Sequence, residues 1–137
     1  MPELALTTLV VRDYDDAIAF YTGALGFELR EDTALGGGKR WVVVAPAGST
    51  GGGLLLAEAA DAPQRARVGD QTGGRVAFFL HTDDFARDHD RMTAAGVRFV
   101  RKPQRETWGM VAVFEDLYGN RWDMVERTTP PAGGDPT

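Results

Sequence analysis

Two hydrophobic periods alternate along the chain, and each change of period marks a new element. Residues 4–11 (LALTTLVV) are a β-prone run bounded by Pro2 and Asp13. Tyr14, Ile18, Tyr21 and Leu25 then recur at helical spacing and make one apolar stripe. Asp13 precedes the stripe as an N-cap, its carboxylate placed to accept from the first free backbone N–H groups. Gly26 ends the helix in the left-handed conformation that favours glycine. Three further strands are predicted at 27–32, 40–45 and 53–57, separated by the glycine-rich stretches 36–38 and 48–53.

A polar connector, 59–74, leads into the same order again. Residues 75–82 read as a strand, Asp84 as a cap, and Phe85, His89 and Met92 as the stripe of a helix stopped by Gly96. Strands follow at 97–101, 109–114 and 121–126. A shift of 71 residues lays Asp13 on Asp84, Tyr14 on Phe85, Ile18 on His89 and Tyr21 on Met92. The stop glycines Gly26 and Gly96 are 70 apart, so the second helix is one residue shorter. Cap, stripe and stop recurring together indicate an internal duplication. The predicted class is therefore α+β, with two βαβββ modules at about 3–58 and 75–127 in a single domain, 1–127, and a flexible tail at 128–137. Each half is too small to bury a sufficient core alone. Paired, their sheets are expected to curl into an incomplete barrel whose concave side suits a small molecule.

Composition narrows the chemistry. The chain has 137 residues, 43% of them hydrophobic and 26% charged, as in ordinary globular proteins. A formal charge of −5 argues against sequence-independent nucleic-acid binding, which needs a basic face to displace counterions. The absence of cysteine excludes thiolate metal sites, disulfides and a cysteine nucleophile, and only two histidines are present. There is no basic leader and no apolar run near the ~20 residues of a membrane span, so a soluble, cytoplasmic protein is expected.

Residues 10–21 (VVRDYDDAIAFY) with Leu25, Gly26 and Phe27, and residues 114–124 (FEDLYGNRWDM), carry a resemblance. They are similar to the opening segment and the closing D-P-x-G-N-x-x-E-L hairpin of the glyoxalase/bleomycin-resistance/dioxygenase (vicinal oxygen chelate) superfamily. The likeness spans residues 4 to 126. It implies paired βαβββ modules, usually a homodimer, and ligand sites lined by both modules. That scaffold hosts lyases, isomerases, dioxygenases and drug-binding proteins, so the fold alone does not name an activity. Metal enzymes of the superfamily carry four metal-facing positions, on the first and last strand of each module. By this resemblance they fall here on Leu6, within Leu54-Leu55-Leu56 near Glu58, on Ala77, and on Asp123. A slip in the register of strand 75–82 puts Val76 or Arg75 in place of Ala77. A divalent ion needs several converging oxygen or nitrogen donors, and one carboxylate among aliphatic side chains does not hold it. Neither metal nor cofactor is expected.

With Ala77 facing the groove, alternation turns Arg75, Phe79 and His81 the same way and sends Val76, Phe78 and Leu80 under the helices. Asp123 shares a face with Arg121 and Val125, with Trp122 and Met124 on the other. An Arg75–Asp123 pair is then either a salt bridge steadying the sheet or an anchor for a ligand carboxylate or amine. His81 is the plausible acid/base histidine, as an edge residue or as a ligand contact; with Asp123 it completes the catalytic candidates. His89, on the helix stripe, reads as structural. Trp108, Met110, Ala112 and Phe114 alternate onto one face. They are either plain core or, with Trp41 and Phe79, an aromatic lining for flat or cationic ligands. Trp122 and Phe78 are assigned to the core. The glycine runs lack phosphate-loop spacing, and Ser49, the chain's single serine, offers no catalytic relay.

The expected function is metal-independent small-molecule binding of the bleomycin-resistance type. A hydrophobic or aromatic ligand would be sequestered in a groove lined by Leu6, Trp41, Arg75, Ala77, Phe79, His81, Trp108, Met110, Phe114 and Asp123. The protein is expected to be a homodimer without nucleic-acid or membrane partners. The alternative is a glyoxalase- or dioxygenase-like lyase, isomerase or oxygenase with a divergent active site.

Overall fold

Two βαβββ modules follow one another in the computed structural model, which describes residues 1–127; the predicted tail, 128–137, lies outside the described residues. The first compact unit spans Met1–Gln71 and the second begins at Thr72. In the first, β1 (Leu6–Val11), β2 (Phe27–Gly36), β3 (Lys39–Pro46) and β4 (Gly53–Glu58) form a sheet in the order β1-β4-β3-β2. In the second, β5 (Val76–His81), β6 (Arg98–Glu106), β7 (Gly109–Glu115) and β8 (Arg121–Arg127) form a sheet in the order β5-β8-β7-β6. In each, the first strand runs parallel to the last and the other pairs are antiparallel. The duplication read from the sequence is thus a duplication of topology.

Both helix starts are built as the sequence predicts. Asp13 accepts from the Asp16 N–H at 2.8 Å to open α1 (Tyr14–Ala19). Asp84 accepts from the Arg87 N–H at 3.1 Å to open a helix at Phe85–Ala94. A second carboxylate reaches each N-terminus from the last strand of its own module. Glu58 Oε2 accepts from the Tyr14 N–H at 3.4 Å, and Glu126 Oε1 accepts from the Phe85 N–H. Carboxylates here meet otherwise unpaired N–H groups and the positive end of the helix dipole.

The extra residue of the first helix is absorbed by a change of helix type. After Ala19 the chain continues through Phe20–Ala24 as a π-helical turn, closed by the Leu25 N–H on the Phe20 carbonyl at 3.2 Å. A π turn holds about one residue more than an α turn, and Thr22 adds a back-bond to the Ile18 carbonyl at 2.7 Å. Tyr14, Ala17, Tyr21 and Leu25 are buried, whereas Ile18 is half-buried. Gly26 and Gly96 both stop their helices at positive φ, 72° and 88°.

Elsewhere the polar segments hold more structure than their pattern shows. β2 and β6 run well beyond the predicted 27–32 and 97–101, because their outer halves are exposed and carry no apolar alternation. The connector contains a one-turn helix, α2 (Ala62–Arg65), capped by Asp61 on the Gln64 N–H at 3.0 Å; the second long helix is therefore α3 (Phe85–Ala94). The core of the first unit packs Leu9, Val11, Val42, Val44 and Leu56 together with Tyr14, Ala17 and Tyr21. That of the second combines Ala112, Phe114, Trp122 and Met124 with Phe85 and Met92. Among the described residues no helix is long and apolar enough to cross a membrane.

Candidate functional site

Each sheet packs one side on its helix; the other, termed the open side, carries the candidate sites, although Val43, Ala45, Val113 and Val125 on it are buried as well. In the second sheet the helix side is identified by a row of rings. Phe99, Phe114, Trp122 and Phe78 are successive opposite neighbours across β6, β7, β8 and β5. Their centroids lie 5.7, 5.8 and 4.6 Å apart along the row. His89 of α3 sits between Phe99, at 4.3 Å, and Phe85, at 5.7 Å. His89, Trp122 and Phe78 therefore occupy the structural places expected of them.

This row overturns the groove assignment of one strand. Phe114 has 0% exposure and stacks on Trp122 at 12° between planes, so it faces the helix, not a ligand. Met110 and Ala112 alternate onto the same side, and Trp108 stands half-buried in the turn between β6 and β7. Of β7, Val111, Val113 and Glu115 alternate onto the open side, Val113 opposite Asp123.

The register of β5 is also shifted from the sequence reading. Val76 lies opposite Arg121 but Phe78 lies opposite Trp122, so Ala77 is an extra residue, a bulge. Because side chains alternate with a period of two, one inserted residue reverses the faces before it. Val76, not Ala77, consequently shares the open face with Phe79 and Asp123. Relative to the first unit, Leu6 opposite Gly53 corresponds to Val76 opposite Arg121. Arg75 lies before the strand, its carbonyl accepting from the Thr72 hydroxyl at 2.6 Å, and the expected Arg75–Asp123 pair does not form. His81 is exposed at the end of β5, opposite Val125.

Asp123 instead belongs to a small cavity of about 250 Å³ with Val76, Val100, Val113, Arg101 and Arg121. Burial pushes its carboxyl above the ordinary carboxylate range, and the nearby Arg101 guanidinium offsets part of that rise. Phe79, directly opposite Asp123, is 65% exposed. Sequence reasoning missed Arg101, whose place depends on two irregularities in the β6–β7 pairing, between Phe99 and Arg101 and between Arg101 and Gln104.

A larger cleft, about 590 Å³, lies at one end of the first sheet and is lined from both of its sides, Tyr14, Arg40 and Leu56 belonging to the helix side. Thr8, Leu55 and Ala57 line it from β1 and β4, and Trp41 with the Gly37-Gly38-Lys39 turn lines it from the β2–β3 hairpin. Glu58, Ala59, Ala60 and Gln64 supply further lining. Trp41 is 36% exposed, which leaves part of the indole available for contact. Leu6, half-buried two residues before Thr8 on the same strand face, is outside this lining.

The Trp41 wall is clamped next to the indole. Arg40 donates through Nε and Nη2 to the two Asp32 oxygens at 3.1 and 2.7 Å, and through Nη1 to Asp15 at 2.9 Å. Its guanidinium lies 5.1 Å over the Tyr14 ring, and its backbone N–H donates to the Tyr14 hydroxyl at 3.1 Å. The Arg40 hydrogen bonds hold the Asp32 carboxyl below its ordinary range and raise the guanidinium further. Two strands and a helix are thereby fastened at one edge of the cleft.

The resemblance assigns four metal-facing positions. Leu6, Leu55 and Val76 stand at three of the four corresponding positions, with Asp123 at the fourth. Among the described residues no three His, Asp or Glu side chains come together as a set that could hold an ion.

Comparison with known proteins places the chain. The family model described as Glyoxalase/Bleomycin resistance protein/Dioxygenase superfamily matches residues 3–124. An uncharacterized protein of Shewanella frigidimarina (strain NCIMB 400) is 56% identical over 119 residues, covering 86% of this chain and 88% of the relative. The crystal structure of UcmS2 superposes with a TM-score of 0.80 at 32% identity, covering 91% of this chain and 98% of that one. TnmS3, an antibiotic binding protein from Streptomyces sp. CB03234, superposes with a TM-score of 0.74 at 28% identity, covering 93% and 98%.

Proposed function

The chain belongs to the Glyoxalase/Bleomycin resistance protein/Dioxygenase superfamily, and from that premise we propose that it binds and sequesters a hydrophobic, aromatic small molecule without a metal. The observation that carries this reading is the 590 Å³ cleft with the part-exposed Trp41 above an apolar floor of Leu55 and Ala57. A volume of this size is in the usual range of small-molecule pockets, and indole stacking suits flat ligands. The polar edge groups Arg40, Glu58 and Gln64 orient the ligand, while buried apolar area holds it. The likeness to an antibiotic binding protein supports the same class of ligand. The mismatch of donors at the family's metal positions supports binding without an ion. The working form is a homodimer in the cytoplasm.

Titration with planar aromatic antibiotics, tetracycline first, tests the reading. Tryptophan fluorescence should be quenched saturably, Trp41→Phe should remove most of the quenching, and the compound should be recovered unchanged. Chemical conversion of the ligand would overturn sequestration, and light scattering at the mass of one chain would overturn the homodimer.

A further inference from the structure

The two sheets carry one row at the same place with different chemistry. Thr8, Leu55, Val43 and Glu31 are successive opposite neighbours across β1, β4, β3 and β2. Phe79, Asp123, Val113 and Arg101 are the corresponding neighbours across β5, β8, β7 and β6. Only the valine is kept. Where the first sheet has threonine, leucine and glutamate, the second has an aromatic ring, a carboxylate and a guanidinium.

The exchange at Asp123 works against folding. The side chain is half-buried among Val76, Val100 and Val113 and, among the described residues, takes part in no hydrogen bond and no close ion pair. A carboxylate partly withdrawn from water with no protein donor loses some of its hydration, a cost that leucine, as in the twin sheet, avoids. Perturbed titratable groups that line a cavity cluster at functional positions.

We infer that this row recognises an uncharged polar group carried on a flat ring: the ring rests on Phe79, an N–H or O–H of the group donates to Asp123, and its carbonyl oxygen accepts from Arg101. The mixed sign of the cavity, two guanidiniums beside one carboxylate, favours a group that both donates and accepts. An ammonium gains Asp123 but meets Arg101 and Arg121 in the same cavity. A carboxylate gains the arginines but meets Asp123. A carboxamide, or a hydroxyl beside a carbonyl, satisfies both sides at once. Asp123 and Arg101 stand on strands two apart, roughly 10 Å between backbones, a span that the long arginine side chain and a small ligand group fill together. The inference concerns a second site, in the other unit, and goes beyond the binding proposed at Trp41.

Four probes read the row in the full chain: naphthalene, 2-naphthamide, 2-naphthoate and 2-(aminomethyl)naphthalene, by calorimetry or equilibrium dialysis. The amide is expected to bind at least about tenfold more tightly than the other three, the scale of one charge-assisted hydrogen bond. Asp123→Ala should bring the naphthoate to first place, and Arg101→Ala should bring the ammonium probe up. Phe79→Ala should weaken all four alike, and far-UV circular dichroism verifies that each variant is folded. An unchanged order in both charge variants overturns the inference, as does a charged probe binding the native protein as tightly as the amide. Failure of all four to bind overturns it too. Retained tetracycline quenching at Trp41 would then show that the row alone was misassigned, and lost quenching that the binding function is wrong as well.

Discussion

Phe114 stacks on Trp122 with centroids 5.8 Å apart and planes 12° from parallel, and that pair decides which side of the second sheet is core. The next row across the same sheet, through Val113 and Asp123, must then face the opposite way. Phe114→Ala empties a fully buried ring site, so a loss of about 3–5 kcal/mol is expected. Phe79→Ala, on the open side, should stay within about 0.5 kcal/mol. Urea unfolding of the two variants checks the assignment, and equal losses would refute it.

The Arg40 clamp should make the first unit sensitive to acid. The Asp32 carboxyl is held below its ordinary value by Arg40, so the folded state releases this proton more readily than the unfolded chain. The resulting stabilisation is fully present above the unfolded carboxylate value and is lost as pH falls through the lower folded one. The groups are exposed, so the effect is small and weakened by salt. Melting temperatures of the native protein and Asp32→Asn are expected to differ at pH 7 in low salt. The difference should close in acid and shrink in 1 M salt.

Asp123 has the opposite sign. Burial raises its carboxyl in the folded state, so the native protein binds this proton more tightly than the unfolded chain. The destabilisation is complete above the folded value and disappears as pH falls below the unfolded one. Asp123→Asn should therefore melt higher than the native protein at pH 7, with the gap closing near pH ~3–4. A variant that melts lower at pH 7 would mean that the carboxylate has a stabilising partner.

Metal content separates the binding reading from a metalloenzyme. Protein purified without chelator or histidine tag should carry well under one ion per chain. Stoichiometric transition metal that is lost in Asp123→Ala would rule out metal-independent binding.

Most of the fold was legible because its signals are local. Asp13, Asp84, Gly26 and Gly96 act on backbone groups within a turn of themselves, and each does in the structure what its position predicts. The one-residue difference between the helices was visible as a 71-to-70 change of spacing. Its solution, a π-helical turn in the first helix, was not visible, since several distortions absorb one residue equally well.

The site was less legible because a strand's faces depend on register. Alternation alone put Trp108, Met110 and Phe114 on one side, which was correct for the strand residues among them, but not which side that was. The bulge at Ala77 exchanged Val76 for Ala77 on the open face and left Arg75 outside the strand. Glu58 and Glu126 went unread as helix caps because they come from strands 44 and 41 residues away in sequence.

The amino-acid order by itself determined the two βαβββ modules, their caps and stops, and the superfamily, since all of these follow from short-range periodicity and backbone-specific residues. Only the folded chain brought Arg101 over Val113 to Asp123 and left Phe79 bare beside them. Those neighbours are joined by inter-strand hydrogen bonds whose register is set by bulges and core packing. A shift of one residue there costs little in local pattern, yet it replaces every side chain that a ligand would meet.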